Sequence, residues 1–249
     1  MSGSVRVQLC GHFALVREDE ARLDDALPGR LGRLLVAYLV LRRPAFVARD
    51  ELLEALWANQ KPAARGSALT VLLSRVRTVL GDQLRGRGQI SIVLPEGSTV
   101  DVETAFAGLH AAQSAVALGD WRRAWAPALT AMLVSRRRFL PEADTWWADE
   151  WRTRLDDLHL HALESYARAC LGLGGTELAS AERAARRLVE LAPLRESGQL
   201  VLIQTLAARG NLAEALTAYE LLRRTLREEL GTDPGPELQR AHANLLGPR

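Results

Sequence analysis

The stretch ARGSALTVLLSRVRTVLG, residues 64–81, decides how the N-terminal part of this chain folds. Stepped at about 100° per residue, Leu69, Leu72, Leu73, Val76, Val79 and Leu80 fall within an arc of about 120°, the width of a stripe that packs on a core. Ser67, Thr70, Val71, Ser74, Arg77 and Thr78 take the opposite side, and Arg75 flanks them. A face that merely meets water mixes acids with bases, because opposite charges three or four residues apart support a helix. Here no acid occurs before Asp82. Small side chains let a backbone approach closely and arginine offers a fixed fork of donors, so the outward face suits the DNA major groove. The same pattern also fits a short basic helix with a solvated back.

The flanking sequence supplies the setting. VRVQLCGHFALV, residues 5–16, alternates around Gly11 and reads as strand, turn and strand. The polar REDEARLDD, residues 17–25, is expected to carry a short third strand. GRLGRLLVAYLVLRR, residues 29–43, is helical with Leu31, Leu34, Leu35, Tyr38 and Leu39 inward, and Pro44 stops it. A second helix spans 50–57, where Asp50 and Glu51 suit the positive end of the dipole. The basic stretch forms a third, from about 62 to 80. Gly86 and Gly88 then mark a turn before the strand ISIVL, residues 90–94. Strands, three helices and a hairpin in this order make a winged helix with an additional N-terminal sheet, and the third helix takes the recognition position.

Charge divides along the same line. Residues 1–100 hold 14 Lys+Arg against 10 Asp+Glu, a balance of +4; residues 101–249 hold 18 against 20, a balance of −2. The first part is therefore the one that attracts a polyanion. Lys61 is the single lysine; every other such cation is arginine. Cys10 and Cys170 fall in different expected domains and read as small core residues, which fits a reducing compartment. The start MSGSVRVQLC has no apolar signal core, and the longest apolar run, residues 34–41, is too short to span a bilayer. A cytoplasmic, nucleoid-associated protein with no membrane partner is expected.

From Thr104 onward the pattern is helical. Residues 106–133 form two helices around a Gly119-Asp120 turn, and residues 145–173 form one long helix. ELASAERAARRLVELAP and NLAEALTAYELLRRTL align with Ala181 over Ala215, a spacing of 34, which is the tetratricopeptide period. Gly231 closes one helix and Pro236 opens another. The fold class expected is mostly α: an N-terminal winged helix-turn-helix of α+β type over 1–101, followed by an all-α tetratricopeptide-like domain over 102–249.

These pieces carry a resemblance. ELLEALW resembles the second helix, and SALTVLLSRVRTVLG the recognition helix, of the actinobacterial antibiotic-regulatory activators, in which an OmpR-type winged helix is joined to a bacterial transcriptional activation domain. VDVETAF resembles the entry to that second domain, EWRTRLDDLHLHALE its central helix and AYELLRRTLREELGTDPGPEL its end, so the resemblance covers about residues 5–246. It implies a transcriptional activator of a pathway-specific gene cluster that binds promoter repeats as double-stranded DNA, with a second protomer on the DNA, and recruits RNA polymerase. One departure stands out. Where the family has a Gly-Tyr element on the wing, this chain has Ile90-Ser91, and Arg85 and Arg87 are the nearby cations.

The candidate DNA-binding residues are therefore Lys61 and Arg65 at the helix start, Ser67, Thr70, Val71, Ser74, Arg75, Arg77 and Thr78 along it, and Arg85 and Arg87 at the wing turn. Thr70, Val71 and Ser74 suit base edges and the arginines phosphate. No cofactor is expected: GLGGTE lacks the lysine and spacing of a phosphate loop. His159 and His161, two apart on a helix, make a poor metal pair, and no residue set suited to catalysis emerges, so the chain is not expected to be an enzyme. The tryptophans read as packing. The competing reading is a tetratricopeptide-type scaffold whose winged domain has lost DNA binding.

Overall fold

The structure, a computed structural model, describes residues 3–57 and 65–247. Two compact units compose it, and they do not divide the chain at one point. The first takes Met1–Thr104 and Arg137–Leu155; the second takes Ala105–Arg136 and Asp156–Arg249.

In the first unit, β1 (Val5–Gln8) pairs antiparallel with β2 (Ala14–Arg17), placing Val7 opposite Leu15. Val5 and Val7 are buried and Arg6 is exposed, the period of two that one covered face demands. The third strand expected within 17–25 does not form. A single Val16–Arg22 bridge is followed by a 3-10 turn over Asp24–Ala26. Backbone pairing with β2 is limited to the Arg17 N–H on the Ala21 carbonyl at 3.0 Å and the Leu23 N–H on the Leu15 carbonyl at 2.8 Å, and beyond it the Asp24 carboxylate accepts the Leu15 N–H at 3.1 Å and the Arg22 guanidinium at 2.6 Å.

Helix α1 (Gly29–Arg42) departs from its expected stripe: every residue from 34 to 40 is buried, whereas Leu31 is half-buried. Its neighbours explain this. α2 (Arg49–Trp57), α3 (Arg65–Leu80) and a strand of the wing pack on it, and the Trp147 ring meets Tyr38 edge-on at 5.3 Å. The wing is an antiparallel sheet in the order β3 (Val47–Ala48), β5 (Gln89–Ile92), β4 (Leu84–Arg85), with Val47 opposite Ile90 and Leu84 opposite Ile92.

Two devices complete this unit. A short strand, β6 (Thr99–Val100), runs parallel to β1 and leads directly into α4 (Asp101–Ala117). There the Asp101 carboxylate accepts the backbone N–H groups of Leu9 and Cys10, both at 2.9 Å, and of Val102 at 2.8 Å. Burial pushes this carboxyl above the ordinary range, against the pull of those three donors and of Arg137. The second device is the segment 137–155. Gly11 donates to the Arg138 carbonyl at 2.8 Å and Leu140 to that of Leu9 at 2.9 Å. Trp147 is buried and donates its indole N–H to the Ala55 carbonyl at 3.1 Å, while Arg152 holds the carbonyls of Phe139, Leu140 and Ala143. Trp57 is also buried and Trp151 stacks on Phe139 at 5.9 Å, so these tryptophans pack as expected, whereas Trp146 is 45% exposed.

The second unit is helical: α4 from Ala105 onward, α5 (Trp121–Ser135), most of α6 (Trp146–Leu173), α7 (Leu178–Leu191), α8 (Glu196–Ala208), α9 (Leu212–Leu230) and α10 (Pro236–Leu246). Asp120 caps α5 by accepting the Arg123 N–H at 3.1 Å. Successive helices from α7 to α9 pack on one another, and Ala181 and Ala215, a period apart, are both fully buried. Gly172 lets a helix approach closely, because a Cβ there would meet the Trp121 ring. Gly231, left-handed at φ 66°, ends α9. Cys10 and Cys170 are buried and unbridged, and burial pushes the Cys170 thiol up to about 11. No helix among the described residues is long and apolar enough to cross a membrane.

Asp101 should be a stability determinant of the first unit. Asp101→Ala leaves three backbone donors without their acceptor and is expected to cost about 2–4 kcal/mol, with Asp101→Asn costing less. Urea unfolding followed by tryptophan fluorescence measures both; equal stability of Asp101→Ala and the parent would refute the role.

Candidate nucleic-acid interface

The interface is built on α3, whose two faces divide as its periodicity demands. Leu69, Leu72, Leu73, Val76 and Leu80 are buried, and Val79 is half-buried at the edge of the stripe. On the other side Ser67, Thr70, Val71, Ser74, Arg75 and Thr78 are exposed, Val71 by 52%. The Val71 methyl pair lies in sequence between the hydroxyl residues Thr70 and Ser74, and methyl groups of this kind can meet a thymine methyl in a groove. Arg65 is half-buried at the first turn. Lys61 lies outside the described residues.

The wing turn lies beside this helix. Arg77 donates from its guanidinium to the Gly86 carbonyl at 2.7 Å, bridging the last turn of α3 to the β4–β5 connection. Gly86 has φ +85°, and a Cβ there would run into the Gln89 carbonyl oxygen, so the tight turn requires glycine. Arg85 and Arg87 are exposed on either side of it. Ile90 and Ser91, at the place of the family's altered element, are both buried in the sheet. The hairpin therefore forms without the tyrosine, and the cations sit at its tip.

A further arginine was not legible beforehand. Arg49, at the start of α2, donates to the Thr70 hydroxyl at 2.6 Å and makes a long contact, 3.4 Å, with the Arg87 carbonyl. The Thr70 hydroxyl in turn donates to the Gly66 carbonyl at 2.9 Å. Arg49 thus ties the outer face of α3 to the wing turn from a third element. Its signal was hidden because it stands outside the helical stripe and its partners are 21 and 38 residues away. Thr78 spends its hydroxyl proton on the Ser74 carbonyl at 3.2 Å.

The resulting face gathers Arg49, Arg75, Arg77, Arg85 and Arg87, with Arg65 at its start. The acids near it are Asp50, next to Arg49, and Asp82, between α3 and the wing, both exposed, so the arginines outnumber them. A surface with an excess of positive charge concentrates a polyanion. Groups of His, Cys, Asp and Glu able to hold a metal are absent among the described residues.

The model of the family described as bacterial transcriptional activator domain matches residues 100–246. Over the whole chain, Regulatory protein AfsR of Streptomyces coelicolor is 32% identical across 98% of this chain and 24% of its own length. Transcriptional regulator RedD of the same organism is 30% identical across 98% of this chain and 71% of its own. The chain spans about a quarter of the AfsR proteins it matches. Among solved structures, Mycobacterium tuberculosis EmbR in complex with a low affinity phosphopeptide superposes with a TM-score of 0.80 at 24% identity, covering 97% of this chain and 65% of that one.

The strut residues should set the mobility of the wing. Arg49→Ala and Arg77→Ala each remove a charge-assisted hydrogen bond of about 1–2 kcal/mol and are expected to speed amide exchange across residues 86–89 roughly tenfold. Hydrogen exchange read by mass spectrometry checks this, and unchanged exchange in both variants would sink it.

Proposed function

The chain belongs to the bacterial transcriptional activator domain family of actinobacterial regulators, non-catalytic DNA-binding proteins, and from that membership we propose how this one works. The outward face of α3 enters the major groove of promoter DNA. Val71 and Ser74 meet base edges there, with Ser67 and Thr78 beside them. Thr70, held by Arg49, orients the helix and keeps one lone pair for a base donor. Arg75, Arg85 and Arg87 contact phosphate, as do Arg65 and Lys61 at the helix start, and Arg77 fixes the distance between helix and wing. The observation that carries this reading is the acid-free, arginine-bearing face of α3 locked to the wing by Arg77 and Arg49. The excess of arginine on this face is what favours DNA over the scaffold reading.

The remaining assignments follow the same premise. Residues 1–101 supply the contacts to DNA. Residues 102–249, with their net negative charge, supply the surface that recruits RNA polymerase, while lending 137–155 to the first unit as structural support. One winged helix offers few base contacts, each base pair being worth about 1–3 kcal/mol. Two protomers on promoter repeats, in head-to-tail order, meet the need for specificity. The controlled genes are those of a secondary-metabolite cluster.

Three measurements test this. Arg75→Ala combined with Arg77→Ala should weaken binding to a cognate promoter, recovered by selection with the purified protein, at least tenfold at near-physiological salt. Affinity of the parent should fall steeply as salt rises, through counterion release, and the double variant should show a shallower slope. Equal affinity of parent and variant would show that α3 is not the reading helix. Native mass spectrometry of the complex on full-length promoter DNA should find two protomers; a strict one-to-one complex removes the paired arrangement. A fragment of residues 1–101 should be markedly less stable than the same region within the full chain, because Trp147 and Phe139 are gone; joining 137–155 to it through a linker should restore cooperative unfolding and salt-sensitive DNA binding without activation in a reporter strain.

A further inference from the structure

We propose that the second unit holds a binding site for an amphipathic organic anion, an apolar body with a carboxylate head, in the cleft between α5, α6 and α7. The cleft measures about 790 Å³, within the range of small-molecule sites and short for an extended peptide. Its apolar surface comes from Met132, Leu160, Leu163 and Leu191. Leu191 is 42% exposed, so its side chain offers apolar surface that a bound apolar body would remove from water. Around that surface stand Arg136, Arg183 and Arg187, against the one lining acid, Asp156. Three cations less one anion leave the cleft at +2. Local partners compensate little of this: Arg183 donates to the neutral Ser180 hydroxyl, and the Arg187–Glu190 pair at 3.0 Å is mostly exposed on both sides, where such pairs contribute little.

The wall behind the arginines supports the assignment. His159 is half-buried with its Nδ1 3.0 Å from the Ser135 hydroxyl. Burial lowers its pKa, and Arg187 and Arg136 lower it further against Asp156, so the ring is neutral near pH 7. Both guanidinium groups therefore project their field into the same space, beside a polar wall that carries no charge of its own. An apolar floor with a cationic rim selects a ligand that presents both an apolar body and an anionic head, and Arg forks match a carboxylate in pairs.

The probe is decanoate, titrated into the full 249-residue chain by calorimetry and by histidine and methionine NMR shifts. Decanoate is expected to saturate at one molecule per chain and to shift His159 and Met132. Decanol and inorganic phosphate, each lacking one half of the ligand, should bind at least tenfold more weakly. Arg183→Gln with Arg187→Gln should weaken decanoate at least tenfold, and Leu191→Glu, at an exposed position that leaves the fold intact by circular dichroism, should do the same. Decanoate binding unchanged in both variants overturns the proposal. Phosphate binding as tightly as decanoate overturns it in favour of a simple anion site, and an aspartate-rich peptide that binds through these arginines while decanoate does not overturns it in favour of peptide docking. None of these readouts depends on DNA binding, so the test stands apart from the function proposed above.

Discussion

One indole hydrogen bond organises the first unit. Trp147 donates to the carbonyl of Ala55 across 92 residues of sequence, and its ring contacts Tyr38 and Phe139. A buried aromatic contributes through area, but its N–H must find an acceptor, which fixes where the ring can sit. Ala55 lies in α2 and Tyr38 in α1, so the same ring sets the two helices against which α3 packs. With Tyr38 held, its hydroxyl donates to Glu51 at 2.6 Å, and Arg42 donates to that hydroxyl at 3.0 Å. The outward face of α3 therefore takes its orientation from a residue that the sequence places far downstream.

The parts of this architecture that were readable from sequence are those governed by short-range periodicity. The α3 stripe, the alternation of Val5 and Val7, the Gly86 turn and the spacing of Ala181 and Ala215 each depend on residues within one element or one repeat. Where a distant segment intervenes, the reading failed. α1 shows a stripe in sequence yet is covered all round, because the ring that closes its remaining side comes from residue 147. The strand expected after residue 17 shrinks to one bridge, because the chain turns at Asp24, whose carboxylate takes the Leu15 N–H, a bond that alternation cannot foresee. Helix α4 begins at Asp101, three residues before the expected change of pattern, because that side chain caps it while holding the end of β1.

The candidate interface was legible to the same degree. Its exposed residues follow from the wheel. The bonds that make it a rigid object do not, since Arg77 to Gly86 and Arg49 to Thr70 join elements whose proximity is a property of the fold. Such bonds redistribute roles among residues of one chemistry. Two arginines on the same helix, Arg75 and Arg77, differ in that one is exposed and the other is half-buried and engaged with the wing. An arginine committed in this way has lost its rotamer entropy before any ligand arrives, which lowers the ordering cost of association.

The interleaving of the chain has a consequence for its birth on the ribosome. The first unit is assembled from residues up to 104 and from 137–155, so its core is incomplete when its N-terminal strands and helices have left the exit tunnel. At about 5–20 residues per second, the segment bearing Trp147 follows some seconds later. During that interval the Tyr38 ring and the α2 carbonyl at Ala55 lack the partner they have in the finished unit. Synthesis in one direction thus imposes an order: α3 acquires its final support only after α4 and α5 have been made. A nascent chain arrested before residue 147 would carry the whole sequence of the basic helix and still lack its completed scaffold, so polymerisation itself acts as a timer on when this surface becomes available.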